Sequence, residues 1–162
     1  MSSKDESKAK NERECFAEFL KIVGWPVDLA RVESRSPPAP DILCTLNGKS
    51  VAFEMLSVTQ SEFLQPLTNA QIVYPDETTL RKNLVKKLNT EYKSNVPTEL
   101  LIYYRNSMAT NDLNLLDTQE VLWNNSHDQF RRIWYLGENN RLFLFYKNWW
   151  SETINPKSYD FF

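Results

Sequence analysis

The chain has 162 residues, 41% hydrophobic and 25% charged, with a formal net charge of −2. That length and composition suit a globular chain with one core and exclude a mostly disordered one. The slight acidic excess excludes a protein that blankets nucleic acid through net charge, so any phosphate contact must come from a local patch.

Three glycines, Gly24, Gly48 and Gly137, lie far apart and cannot build a glycine-rich phosphate loop. Nucleotide-dependent kinases and dinucleotide oxidoreductases of the usual kinds are therefore not expected. The single histidine, His127, leaves no His-rich zinc site and makes a Ser-His-Asp triad in the core hard to build; it reads as a loop residue. No apolar run approaches the ~20 residues of a membrane span. The polar N-terminus lacks the apolar stretch and cleavage site of a secretory signal. Cys15 and Cys44 fall in apolar patterns, as expected of buried thiols in a reducing compartment, and the expected location is cytoplasmic.

Residues 1–10 are polar and without an apolar period, and read as a flexible arm; residues 11–162 read as one domain. From Asn11, the apolar Cys15, Phe16, Phe19, Leu20 and Val23 recur at helical spacing, and Gly24 followed by Pro26 ends that helix. Residues 29–35 are expected as a short strand, and the proline-rich segment 36–40 as an extended connector. Residues 41–46 and 50–58, apolar and β-branched, flank Asn47-Gly48 and predict a hairpin. Residues 77–93 predict a helix with the stripe Leu80, Leu84, Val85, Leu88 and Tyr92, and residues 99–104 a buried strand. Asp117 and Glu120 have the spacing of a capping box and predict a helix opening there and reaching about Asn125. Residues 132–136 and 141–147 are expected as two strands joined near Gly137. The aromatics Trp149, Trp150, Tyr159, Phe161 and Phe162 read as core or as a dimer interface. This alternation predicts an α/β fold, a mixed sheet flanked by helices.

The chemistry follows from the hairpin. A two-residue turn at Asn47-Gly48 pairs residue 46 with 49 or 50, which sets Asp41 opposite 54 or 55. Asp41 and Glu54 are then cross-strand neighbours at ~5 Å. Glu54 shares a strand face with Ala52, Leu56 and Val58, where a carboxylate is costly unless it is paired, metal-bound or at a cleft. Two adjacent carboxylates repel, and a divalent cation is the natural means of holding both ionised.

Pro40-Asp41, a hairpin with Gly48, and Phe53-Glu54 with Leu56 two residues on resemble the PD-(D/E)XK nuclease superfamily, and the element order matches from about residue 11 to 105. The resemblance implies a restriction-endonuclease-like fold and Mg²⁺- or Mn²⁺-dependent hydrolysis of nucleic acid, DNA above all. It implies Asp41 and Glu54 as catalytic metal ligands, helped by the Met55 carbonyl and by a glutamate of the first helix. Glu12, three or four residues before Cys15 and Phe16, lies on the core-facing side of that helix and is expected in this role. Metal ions there would polarise the scissile phosphate and lower the pKa of an attacking water.

The superfamily's lysine stands two residues after the glutamate, where this chain has Leu56. Some members carry that lysine on the following helix. At ~100° per residue Lys87 falls about 60° from Leu84, beside the apolar stripe, whereas Lys82 and Lys86 point outward. Lys87 is the expected substitute. Arg81, Lys82 and Lys86 form a basic face along which a phosphate backbone would track. A symmetric homodimer is the simplest way for so small a nuclease to cut two strands. The alternative reading is an inactive nuclease-like fold serving as a binding or protein-interaction module. In it Asp41 is a plain turn residue and Glu54 pairs with an arginine such as Arg31 or Arg35.

Overall fold

A computed structural model describes residues 2–58, 65–66, 72–73, 79–104, 112–137, 140–146 and 149–152. Helix α1 spans Ser3–Val23. A single 3₁₀ turn, Leu29–Arg31, and strand β1 (Glu33–Ser34) share the stretch where one short strand is expected. The hairpin follows as β2 (Ile42–Leu46) and β3 (Lys49–Val58), and β4 (Gln65–Pro66) pairs with β5 (Ile72–Val73) in a small separate ribbon. Then come α2 (Thr79–Asn89), β6 (Thr98–Tyr104), α3 (Asp112–Asn124), β7 (Ile133–Leu136), β8 (Leu142–Tyr146) and β9 (Trp149–Glu152).

Seven strands form one mixed sheet in the order β1-β2-β3-β6-β7-β8-β9. The central pairs β3·β6 and β6·β7 are parallel, joined through α2 and α3, and the outer pairs are antiparallel. Helix α1 covers one face. Its Phe16, Phe19, Leu20 and Val23 pack with Val51, Phe53 and Met55 of β3 and with Trp134; the Phe16 and Phe53 ring centroids are 4.8 Å apart. Helices α2 and α3 cover the other face, where Leu80, Leu84, Leu88, Val121 and Leu122 meet Leu56, Val58, Leu100 and Ile102. Because β3 alternates between these two cores, Glu54, in step with Leu56 and Val58, faces α2. The α/β sandwich expected from the element order is the fold observed. No helix among the described residues is long and apolar enough to cross a membrane.

The hairpin has the expected register. Leu46 pairs with Lys49 and Ile42 with Phe53, while Asn47 and Gly48 take φ of 49° and 78°, the left-handed pair a two-residue turn requires. No atom lies within 4 Å of a Cβ built on Gly48, so a side chain there meets only backbone strain. Gly48→Ala is expected to lower unfolding stability by about 1–2 kcal/mol, read from urea denaturation.

Several expectations are corrected. The segment 1–10 is not a loose arm: residues 3–10 are the first turns of α1. Ser2 caps them, accepting the Asp5 N–H while the Asp5 carboxylate accepts from Ser2, and Lys8–Glu12 and Lys10–Glu14 stitch successive turns. Helix α2 ends at Asn89, leaving Tyr92 beyond it with its ring 5.8 Å from that of Phe130. Helix α3 starts at Asp112 rather than Asp117. Asp117 and Glu120 there accept from Arg81 of α2 at 2.7 and 2.5 Å, so their spacing serves a helix–helix pairing, not a cap. Trp150 of β9 stacks on Phe143 at 6.0 Å, as part of the core; Tyr159, Phe161 and Phe162 lie outside the described residues.

Candidate active site

Asp41 immediately precedes β2, and Glu54 sits mid-way along β3, one step beyond the Ile42–Phe53 pair. Both are buried, at 5% and 3% exposure. Each is fixed by backbone of the other's strand: the Asp41 N–H donates to Glu54 Oε2 at 3.3 Å, and the Met55 N–H donates to Asp41 Oδ2 at 3.0 Å. The hairpin therefore forces the two carboxylates together and shields them from water. Met55 enters this geometry through its N–H.

Two lysines reach the pair from opposite sides of the sheet. Lys87 of α2 donates to Glu54 Oε1 and lies 3.8 Å from Asp41 Oδ2. Lys8 of α1 stands 3.4 Å from Asp41 Oδ1 and 3.2 Å from Glu12 Oε1. Charges thus alternate along a chain, Glu12, Lys8, Asp41, Lys87, Glu54. Burial, then the Asp41 charge, pushes Glu54 up to about 7 despite the opposing pull of Lys87. Burial, then Asp41, likewise raises Glu12, against Lys8. The Glu54 partner is therefore Lys87, not Arg31 or Arg35; Arg31 pairs with Asp28 at 3.7 Å.

Glu12, Lys8, Lys87 and Glu54 line a cleft of about 500 Å³ between α1, the Pro37-Pro38 turn and the second half of α2, with Asn11, Asn83 and Lys86 on its walls. Leu56 is on the same wall but 5% exposed, packed against Leu80 and Leu84. It leaves the cleft open and offers no amine. Lys82 and Lys86 are exposed, as expected. Arg81 is not part of that basic face: its guanidinium is committed to Asp117 and Glu120. No protein-family model, curated protein or solved structure matches the chain.

The donor set suits a hard cation in part. Asp41 and Glu54 supply adjacent buried oxygens, and a carboxylate pushed up to about 7 by burial and a like charge is one that an added cation would stabilise in its ionised form. Among the described residues, however, no group of three or more His, Cys, Asp or Glu side chains is arranged to hold a metal ion. Glu12 faces inward as expected, yet its carboxylate pairs with Lys8 instead of completing a trio with Asp41 and Glu54. Two carboxylates remain a sufficient protein contribution for Mg²⁺, which keeps several waters and uses substrate phosphates as ligands.

Sequence reasoning missed two participants in the site, Lys8 and Tyr92, and one buried charge away from it, Glu99. Lys8 falls in the segment read as an arm. Tyr92, read as part of an apolar stripe, hydrogen bonds its hydroxyl to Glu54. Glu99, read within an apolar strand, is fully buried and accepts from Arg131, Arg132 and Trp134. Only Lys8 carried a local signal, its i,i+4 spacing to Glu12 beneath the Ser2–Asp5 cap.

Proposed function

We propose that this protein hydrolyses phosphodiester bonds in nucleic acid, DNA foremost, with a divalent cation held by Asp41 and Glu54. On this reading it is a divergent PD-(D/E)XK nuclease whose catalytic amine comes from α2. The observation that carries the proposal is Lys87, whose ammonium contacts both carboxylates at the wall of an open cleft. A bound Mg²⁺ or Mn²⁺ would supply Lewis acidity toward the phosphate and a more acidic water.

The chain's own groups do the rest. Asp41 and Glu54, with the Met55 carbonyl, would hold the cation. Lys87, beside both carboxylates, would orient the attacking water or meet the charge growing on the phosphoryl oxygens. Lys86 and Lys82, exposed on the same helix, follow the backbone of the strand. The cytoplasm, where Cys15 and Cys44 persist as thiols, is the proposed site of action, and a homodimer the proposed form for double-strand cleavage.

A second reading, a binding module without hydrolysis, draws on the ion pairs that Lys8 and Lys87 already make and on Leu56 standing where the motif has its lysine. One assay separates them: fluorescent DNA, single- and double-stranded, incubated with the protein and millimolar Mg²⁺ or Mn²⁺. Cleavage that EDTA stops is expected, with Lys87→Ala slowing it by about 10²–10³-fold at retained metal binding. No cleavage of DNA or RNA by the folded protein, or an unchanged rate in Lys87→Ala, overturns the proposal.

A further inference from the structure

We propose that Lys8 is a built-in counter-ion that occupies the Glu12–Asp41 gap and is exchanged for the divalent cation when the site loads. This rests on the reading of Asp41 and Glu54 as metal ligands. It goes further in giving a role to a residue outside the nuclease motif and an order of events to the site.

The two carboxylates Lys8 bridges are unequal to it in environment. Glu12 and Asp41 are 6% and 5% exposed, whereas the Lys8 side chain is 60% exposed. The acids are fixed by the fold, Glu12 by its inward helix face and Asp41 by the Met55 N–H. The lysine is held only by its ammonium, at 3.2 and 3.4 Å. A long, largely solvated side chain regains its hydration by swinging away, and the incoming cation takes over the neutralisation of the two buried acids. Lys87 differs, being 23% exposed and set within the cleft wall beside the α2 core. Of the two ammoniums, Lys8 is therefore the one that yields.

Its position also accounts for the incomplete ligand group. With an ammonium between them, Glu12 and Asp41 present their facing oxygens to a nitrogen. Once Lys8 leaves, Glu12 keeps no ion pair among the described residues and would be available to the cation.

Competition of this kind has a direction that an ordinary structural lysine does not. Removing Lys8 frees the acids and tightens metal binding. Mn²⁺ is titrated calorimetrically into the full chain, Lys8→Met, Lys8→Arg and, as a charge control, Lys10→Met, whose native partner is Glu14. Lys8→Met is expected to bind about five- to tenfold more tightly. Lys8→Arg should match the natural chain, and Lys10→Met should change little. The melting temperature of metal-free Lys8→Met should fall and recover with Mn²⁺.

Equal or weaker binding by Lys8→Met, with the natural chain binding normally, overturns this inference and leaves the metal site intact. Binding by Lys8→Met alone overturns it, because the natural lysine would then block the site instead of yielding to the cation. Absence of binding in every variant overturns the metal site and this inference with it. A gain equalled by Lys10→Met overturns it too, because net charge alone would then suffice.

Discussion

Glu99→Leu is expected to lower unfolding stability by about 3–5 kcal/mol, the cost of breaking a buried ion pair by removing one partner. Glu99 is 0% exposed. Its Oε1 accepts from Arg132 at 3.0 and 2.5 Å and from Arg131, and its Oε2 accepts from the Trp134 indole at 2.6 Å. Arg132 is itself only 6% exposed, stacked 5.5 Å from the Trp25 centroid and 5.6 Å from that of Trp134. Leucine would therefore take from a buried guanidinium its Glu99 carboxylate, an ionic partner rather than a single bond. The network ties β6 to the start of β7 beneath the aromatic cluster of α1, so its loss reaches the whole sheet. Guanidinium chloride denaturation should show the midpoint fall by roughly 1 M, with Glu99→Gln intermediate because it keeps acceptor and donor capacity. A shift under a quarter of that for Glu99→Leu would mean that Arg132 finds another partner. Burial, then the Glu99 charge, also holds the Cys44 thiol up at about 12, so Glu99→Leu should make that thiol more acidic.

Glu54→Gln carries the opposite sign. In the fold Glu54 titrates at about 7, against an ordinary value of 4.5. Between those two pH values the folded chain holds more protons at this group than the unfolded one, so raising pH withdraws stability. The contribution is complete below about 4.5 and gone above about 7. Ionised Glu54 thus costs the metal-free protein roughly 3 kcal/mol at pH 8, which the neutral glutamine avoids. In EDTA at pH 8 Glu54→Gln should melt higher than the natural chain, by several degrees, and the two should converge near pH 5. A variant that melts lower at pH 8 would make Glu54–Lys87 a stabilising structural ion pair and favour the binding-module reading. A site that weakens its own fold is a common signature of function.

The part of this site legible in the sequence rests on local rules. Asn47-Gly48 fixes a two-residue turn, the turn fixes the register, and the register sets Asp41 against Glu54. Lys87 followed from helical geometry, because its angle from Leu84 places it at the edge of the buried stripe. What the sequence hid depends on partners distant along the chain. Arg81 looked like one cation of a basic face because nothing local says that Asp117 and Glu120 of another helix will claim it. Glu99 looked like an interruption of an apolar strand because its partners lie more than thirty residues away. The reach of α1 was partly visible, in the Ser2–Asp5 cap and the i,i+4 pairs, yet its polar first turns have no core-facing stripe to announce a helix. That oversight cost Lys8 its place among the site residues.

The central claim, that Asp41 and Glu54 hold a divalent cation, is tested most directly by titrating Mn²⁺ into the natural chain and into Glu54→Gln at pH 8 by calorimetry. Saturable binding to the natural chain is expected, and its loss in Glu54→Gln, even though that variant is the more stable protein without metal. Equal binding by both, or none by the natural chain at millimolar Mn²⁺, would contradict it.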